Sequence, residues 1–406
     1  MNTSLENAIN ESFGNDSVTD QFAQFVINKN KEELHILLPS LVLVCVLLVF
    51  GLPGNLLAVL VYATKMTPST VGYFIMSLAI SDLINCSISL PVEIAIICHF
   101  WSFDIPWLCK FSRFLSAAMN NTSSFILAAI AVERFRSICL PLKQKVSNTK
   151  AKVICIVISA CAIFSATPMI FCYGTFTHIE HVHNETIELK TCLVDDAVKR
   201  TNYPIYNLIY FFVGHIVIFL ILATLYSCII YKLIKGVEIQ EGNANLLQRQ
   251  GSAYSMTSYV AQYNRTIHPT TPLGNSDTNN LSSQQCQLKR TTSTNSTYQM
   301  STTRKKDSQA FRTRRLTCVL VLVTAVFEIS FIPYLVVVSI RSHTPDYFSK
   351  LTESQQMIYQ LFLRSYLINS ALNPIIYCFY NQNFRHGVKR FFRSIRESLL
   401  ESDSFM

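Results

Sequence analysis

Charge is scarce in this sequence: 15% of its 406 residues are Asp, Glu, Lys or Arg, half are hydrophobic, and the mean hydropathy is +0.30. So much apolar length with so little charge excludes a secreted enzyme, a disordered chain and a collagen-like repeat. Cysteine patterning is also absent. Most of the thirteen cysteines sit singly inside apolar runs, in neither a disulfide-scaffold nor a zinc-ligand spacing. There is no internal repeat, which argues against a transporter built from two related halves. The first 33 residues are polar and lack the basic start and short apolar core of a signal peptide, so the first apolar run is expected to act as the insertion signal.

What the chain does have is long uncharged runs. They span Ile36–Ala63, Val71–Cys98 (two acids), Phe114–Val132, Val153–Tyr173, Tyr203–Tyr231, Leu316–Ile340 (Glu328 alone) and Met357–Tyr380 (Arg364 alone). Each is long enough to cross a hydrocarbon core of about 30 Å as a helix. They are too apolar all round for surface helices and too unalternating for barrel strands. The fold class predicted is an all-α membrane protein, a seven-transmembrane helix bundle.

The distribution of charge gives the bundle a direction. With the N-terminus outside, the net charge of +9 divides into +16 on inner segments, −5 on outer segments and −2 within the membrane. The short second inner loop, with Arg136, Lys143, Lys145, Lys150 and Lys152, is the cleanest case. Candidate glycosylation sites at Asn2, Asn10, Asn15 and Asn184 fall on the outer side, although the same tripeptide recurs at sites that are not outside. The chain thus reads as an extracellular glycosylated tail (1–33), helices 1–5 (34–232), a third inner loop (233–311), helices 6–7 (312–380) and a cytoplasmic tail (381–406). The third loop is rich in Ser, Thr, Asn and Gln without apolar periodicity, and is expected to be disordered.

Several residues within these runs stand in a particular order: Gly54-Asn55, Leu78-Ala79-x-x-Asp82, Cys109, Glu133-Arg134-Phe135, Pro168, Tyr226, Phe327-x-x-x-Phe331-x-Pro333, Asn373-Pro374-x-x-Tyr377 and Phe384-Arg385. The pattern resembles the rhodopsin-like (class A) G-protein-coupled receptors over about residues 34 to 396. It departs in Phe135 for Tyr, Phe331 for Trp, Ile158 near the level of the usual helix 4 Trp, and Ile218 at the usual helix 5 Pro.

The resemblance implies roles for individual residues. Glu133, Arg134, Tyr226, Phe327, Phe331, Pro333, Asn373, Pro374 and Tyr377 would form the G-protein-coupling and activation switches, with Pro333 kinking helix 6. An Arg at that level can also simply snorkel to the interface. Thr313, flanked by Arg312, Arg314 and Arg315, stands where some relatives place an acid for Arg134, which points to elevated basal signalling. Asp82 is costly within a membrane and needs polar partners, for which Asn55, Ser123, Asn369, Ser370 and Asn373 are available. The family holds an allosteric sodium ion among the equivalents of Asp82, Ser123 and Asn373; a hydrogen-bonded plug without an ion is the alternative. No other metal or cofactor is expected. Glu328 can be read as a protonated acid bonded to Asn369.

On the outer side, the resemblance pairs Cys109 with Cys192. Alternation over Thr177–Leu193 predicts a β-hairpin lid, and His178, His181 and His183 on it read as solvated strand residues rather than a metal site. Ser116 stands where amine receptors carry an acid, and Leu367 where opsins carry a lysine, so both ligand classes recede. Glu93, Arg113, Ser116 and Arg364 remain as ligand-pocket candidates under a lid bearing Glu180, Glu185, Glu188, Asp195 and Asp196, similar to neuropeptide receptors and suited to a ligand with a basic part. Arg113 and Arg364 either receive a carboxylate of the ligand or pair with Glu93.

Basic-flanked serines and threonines, Lys289-Arg290-Thr291-Thr292-Ser293 and Arg304-Lys305-Lys306-Asp307-Ser308, fit kinases and, once phosphorylated, arrestin. Phe384, Val388, Phe391, Phe392 and Ile395 line one face of an amphipathic eighth helix suited to membrane lipid. The expected protein is no enzyme. It is a multi-pass plasma-membrane receptor with its C-terminus cytoplasmic, a peptide ligand outside and a heterotrimeric G protein inside, and with no nucleic-acid partner. A non-peptide ligand, a G-protein-uncoupled scaffold or arrestin-biased receptor, and a transporter or channel are the rival readings.

Overall fold

The computed structural model describes residues 3–140, 146–182, 185–267, 315 and 317–403, with side-chain surroundings from residue 21 onward, except 236–267, 345–346 and 402–403. It is an all-α membrane bundle with, among the described residues, one β-hairpin, at the end of the bundle that the charge distribution reads as the outer one. Helix α1 runs Thr3–Thr64. The second span comprises α2 (Thr70–Ile84), a π-helical turn (Asn85–Ser89) and α3 (Leu90–Cys98). Then come α4 (Pro106–Cys139), α5 (Asn148–Ala166), α6 (Pro168–Cys172), strands β1 (Tyr173–Val182) and β2 (Glu185–Val194), and α7 (Tyr203–Ile267). Helix α8 (Thr317–His343) carries Pro333 without ending. The seventh crossing is composite: α9 (Glu353–Phe362), a 3-10 turn (Ser365–Ile368) and α10 (Asn369–Tyr380), followed by α11 (Gln382–Asp403).

Among the described residues, six helices are long and apolar enough to cross a membrane by themselves. The irregular points in the second and seventh crossings have local causes. Pro91, at the second position of α3, has no N–H to donate, and its ring would crowd the carbonyl four residues back; the π turn just before it absorbs the misfit. Arg364, at φ −109° and ψ 2°, leaves the α region and separates α9 from α10. Two boundaries differ from expectation. Helix α1 begins well before Ile36, and α7 continues to Ile267, into the segment read as a disordered loop, where Leu, Gln, Glu and Ala favour helix. The remainder of that loop, with Arg312, Thr313, Arg314 and both kinase motifs, lies outside the described residues.

Helix α4 is the hub. About two thirds of its most apolar window is buried, against 6% for the corresponding window of α7. It can be enclosed because its buried positions include small residues such as Ala118, Ser123, Ser124 and Ala131, which permit close approach between helices in lipid. Toward the inner end, Phe74, Ile75, Leu78, Ile126, Leu127, Ile130, Leu320, Phe327, Tyr377 and Phe384 form one core. A second cluster joins Leu37, Val44 and Leu47 of α1 to Cys86, Leu90, Ile97, Leu367 and Ala371. At Gly54 a β-carbon would stand 3.0 Å from Pro374, so glycine sets how closely α1 and α10 approach.

Candidate functional site: an ion-paired mouth and an inner polar ladder

Outside, β1 and β2 pair antiparallel from Tyr173↔Val194 to Val182↔Glu185, bearing out the predicted hairpin. Cys109 at the outer end of α4 is bonded to Cys192 of β2, as the resemblance implies. The hairpin is further tied to the α3–α4 loop, where Phe103 N–H donates to Lys190 O (3.0 Å) and Lys190 N–H to Trp101 O (3.1 Å). Most lid acids are not free to meet a ligand. Glu180 pairs with Lys29 of α1 (3.2 Å), Asp195 with Lys110 (2.8 Å) and Asp196 with Lys199 (2.5 Å), leaving Glu185 and Glu188 exposed. Burial pushes the Asp195 and Asp196 carboxyls up, but their lysine partners and backbone N–H donors outweigh it and hold both below the usual carboxylate range. His178 packs on Trp101 and His181 faces Thr186, while His183 and Asn184 lie outside the described residues, as does Asn2. Asn10 and Asn15 fall on α1, beyond the described side chains.

Beneath the lid, the two alternatives for Arg113 and Arg364 resolve toward pairing. Glu93 of α3, 4% exposed, accepts from Arg113 Nη1 through Oε2 and from Arg364 Nε through Oε1, both at 2.9 Å. Arg364 Nη1 also donates to Gln360 O (3.1 Å) and Gln360 Oε1 (3.0 Å). Two guanidinium groups on one carboxylate leave a net positive charge in a buried place, and Arg113 Nε, itself buried, has no partner among the described residues. The phenols of Tyr173, Tyr334 and Tyr366 border Arg113, and Ser116 sits beside Tyr366. The i, i+4 spacing of Gln360 and Arg364 was visible in the sequence; the tyrosines, on three separate elements, carried no local signal.

Aromatic rings continue inward from this cluster. Tyr366 lies 4.8 Å from Tyr334 and 6.0 Å from Phe331, whose ring is 5.0 Å from Phe327. Tyr366, which borders Arg113 and Ser116, is therefore in packing contact with the hinge rings on α8.

The membrane-level polar residues also converge. Asn373 Nδ2 donates to Asp82 Oδ2 (2.7 Å), and Ser123 and Ser370 face the same carboxyl. Asn55 Nδ2 donates to Ser370 O (2.6 Å), and Asn85, absent from the sequence-based set, donates to Ser370 Oγ (2.8 Å). Asn369 belongs to an adjoining link in which Ser330 Oγ donates to its Oδ1 (2.7 Å). The partner of Asn369 is thus Ser330, and Glu328 has no hydrogen-bond partner among the described residues: it is two positions from Ser330 and projects from another side of α8. Asn55 Oδ1 and Asn85 Oδ1, on the two asparagines that bond Ser370 beside Asp82, are buried and without a partner among the described residues, so the oxygens gathered there fit a hard cation.

At the inner end, Arg134, 8% exposed, donates from Nε (2.6 Å) and Nη2 (2.5 Å) to Glu133 Oε2. Tyr226 hydroxyl bonds Thr324 Oγ1 of α8 at 3.1 Å, and the buried Tyr377 hydroxyl has no partner among the described residues. Pro374 is buried within α10, and Tyr377 packs edge-on against Phe384 of α11.

Comparison with known proteins agrees with this arrangement. The human cholecystokinin receptor type A is 25% identical over 339 residues, covering 82% of this chain and 76% of that receptor. The rabbit (Oryctolagus cuniculus) growth hormone secretagogue receptor type 1 is 32% identical over 177 residues, 41% of this chain and 44% of that protein. The Drosophila melanogaster tachykinin-like peptides receptor 99D is 25% identical over 354 residues, 84% of this chain and 54% of that one. Residues 54–377 match the family described as 7 transmembrane receptor (rhodopsin family), and the chain belongs to that family.

Proposed function

We propose that this protein is a plasma-membrane receptor, N-terminus outside, that binds an extracellular peptide and promotes nucleotide exchange on a heterotrimeric G protein inside. It performs no chemistry on the ligand. Ligand binding shifts an equilibrium between closed and open inner faces, by the difference in its affinity for the two. The observation that carries this reading is the continuity from the Glu93–Arg113–Arg364 cluster through Tyr366 and Phe331 to Phe327, which couples the mouth to the hinge of α8. Relatives named for cholecystokinin and for tachykinin-like peptides support a peptide ligand. The internally paired lid weakens the case for a strongly basic ligand. The excess positive charge at Arg113 and Arg364 supports one that brings an acidic group, a C-terminal carboxylate or an Asp or Glu side chain, to the mouth.

Inside, release of Arg134 from Glu133 would free its guanidinium for the G protein, and Tyr226 would exchange Thr324 for Tyr377 as α8 moves. Asp82, Ser123, Ser370, Asn55 and Asn85 would hold a sodium ion in the closed state, where its charge offsets Asp82. Phosphorylation of inner-loop serines and threonines would recruit arrestin, and α11, with exposed Phe392, Ile395, Leu399 and Leu400, would lie against anionic lipid. The test is a peptide library of matched free acids and amides, screened by calcium release in cells carrying a promiscuous G protein. Saturable responses that need the acid are expected. Responses to small amines alone would contradict the ligand class, and binding without exchange would favour an uncoupled or arrestin-biased receptor.

A further inference from the structure

The charge at the mouth does not balance. Glu93 meets two guanidinium groups, Arg113 Nη1 and Arg364 Nε, each at 2.9 Å, and so the cluster carries one positive charge too many. The Glu93 and Arg364 side chains are only 5% and 7% exposed. A buried lysine could relieve such a charge by losing its proton, but an arginine stays protonated, so relief must come from a negative ion or group. Among the described residues no second acid pairs with either arginine. The lid acids Glu180, Asp195 and Asp196 are held by lysines, and Arg341, at the outer end of α8, adds to the positive field that Tyr173 shares with Arg113.

The unmet hydrogen-bonding capacity lies on one side of this cluster. Arg113 Nε and Ser116 Oγ are both buried and without a partner among the described residues. They stand three positions apart on α4, and therefore on one face of it. Tyr366 borders both. A guanidinium N–H and a serine hydroxyl can both donate, so the shared capacity is for an acceptor. The place is also within reach from outside. The Arg113 side chain, 19% exposed, is the most open of the three charged groups, and it lies seven residues into α4 from Pro106, about 10 Å along the helix. One excess charge calls for one negative charge; a divalent oxoanion would invert the balance beside Glu93.

We propose that, before ligand arrives, this place binds a chloride ion held by Arg113 Nε and Ser116 Oγ beside Tyr366, and that an acidic group of the ligand displaces it. Chloride binding rests on the charge balance alone. The exchange rests in addition on the reading of the mouth as the place that receives the ligand's acid. Chloride steadies the unliganded mouth, and chloride and a carboxylate each lower the affinity for the other.

The test uses the full chain in phosphatidylcholine nanodiscs, with no peptide present. Chloride replaces gluconate, a bulky and strongly hydrated anion, in steps at constant sodium and ionic strength, so that neither screening nor the sodium pocket changes. The melting temperature should rise saturably with chloride, and the chloride magnetic resonance line should broaden beyond its width over empty nanodiscs. Acetate, a bare carboxylate, should narrow that line again. Arg113→Met leaves Glu93 and Arg364 balanced one to one and should abolish both effects. Ser116→Val keeps every charge but removes one donor, and should weaken chloride about fivefold, the weight of one hydrogen bond. Asp82→Asn should leave the chloride response as it is, which separates this site from the sodium pocket. Equal melting in chloride and gluconate without excess broadening, or an unaltered chloride response in Arg113→Met, would overturn the site; broadening that acetate does not reverse would overturn the exchange. Should Arg113→Met fail to fold, Ser116→Val decides, and an unchanged chloride affinity there overturns the site. A receptor that answers only peptide amides would contradict the acidic ligand while leaving chloride binding intact, so the two readings fail separately.

Discussion

The outer and inner ends of this bundle hold their buried charges differently. At the mouth, Glu93 is bonded to arginines contributed by α4 and by the α9–α10 break, so one carboxylate fastens three spans, and the Cys109–Cys192 bond clamps the lid to α4. At the inner end, Arg134 pairs with Glu133, its neighbour in sequence, a contact that fastens nothing to another span. Tyr226 links α7 to α8 through one neutral hydrogen bond to Thr324. A buried ion pair is strongly destabilising to break, whereas a single neutral hydrogen bond is worth only about 1 kcal/mol. The difference teaches where motion is cheap. The mouth is built to keep its shape, and the inner face to open.

The largest effect in breaking that contrast should come from Glu93→Gln. It leaves two buried guanidinium groups facing each other without a counter-charge, and should cost about 3–5 kcal/mol, read as a lower melting temperature and loss of surface expression. Arg113→Met, which leaves the Glu93–Arg364 pair intact, should cost distinctly less. Replacing both Cys109 and Cys192 by Ala should cost about 2–5 kcal/mol by thermal melting under oxidising conditions and leave no change under reducing ones. Arg134→Ala should abolish nucleotide exchange on purified G protein and cost less stability than Glu93→Gln, because it leaves the half-buried Glu133 alone rather than two buried guanidinium groups without a counter-charge. Asp82→Asn should be neutral to folding yet remove any difference in melting temperature between sodium chloride and choline chloride.

The smallest effect concerns pH. The Asp195 and Asp196 carboxyls sit below their ordinary range in the folded lid, so their contribution is complete above the unfolded value and is lost only as pH falls through the folded one. Hydrogen exchange in the hairpin should be equally slow at pH 7 and pH 5 after correction for intrinsic rate, and should quicken only below about pH 4.

Much of this was legible from residue order. Seven apolar runs became seven crossings because hydrocarbon forces every backbone group into helical pairing, a constraint that overrides local detail. The hairpin was legible from its alternation, and Asp82 with Asn373 from the cost of a carboxyl in the membrane. Other features left no such trace. A π turn at Asn85–Ser89 changes one hydrogen-bond register without changing composition, so only Pro91 hints at it. The partner of Asn369 depends on rotation about the α8 axis, which puts Ser330 and not Glu328 against it. Similarly, Glu180 and Asp195 looked available because their lysines lie far away in sequence: Glu180 and Lys29 are 151 positions apart but 3.2 Å apart in space, whereas Lys199 is only three positions from Asp196.

The central claim is that the inner face opens while the mouth holds. Electron-electron distance measurements on the reconstituted chain test it most directly, with spin labels on the native Cys139 of α4 and Cys318 of α8, the other free cysteines replaced, and in a second preparation on Trp107→Cys and Ile340→Cys at the outer ends of the same helices. On addition of nucleotide-free G protein, the inner pair should gain a population several ångströms longer while the outer distribution stays fixed. An outer pair that moves as far as the inner one, or an inner pair that does not move at all, would contradict the account.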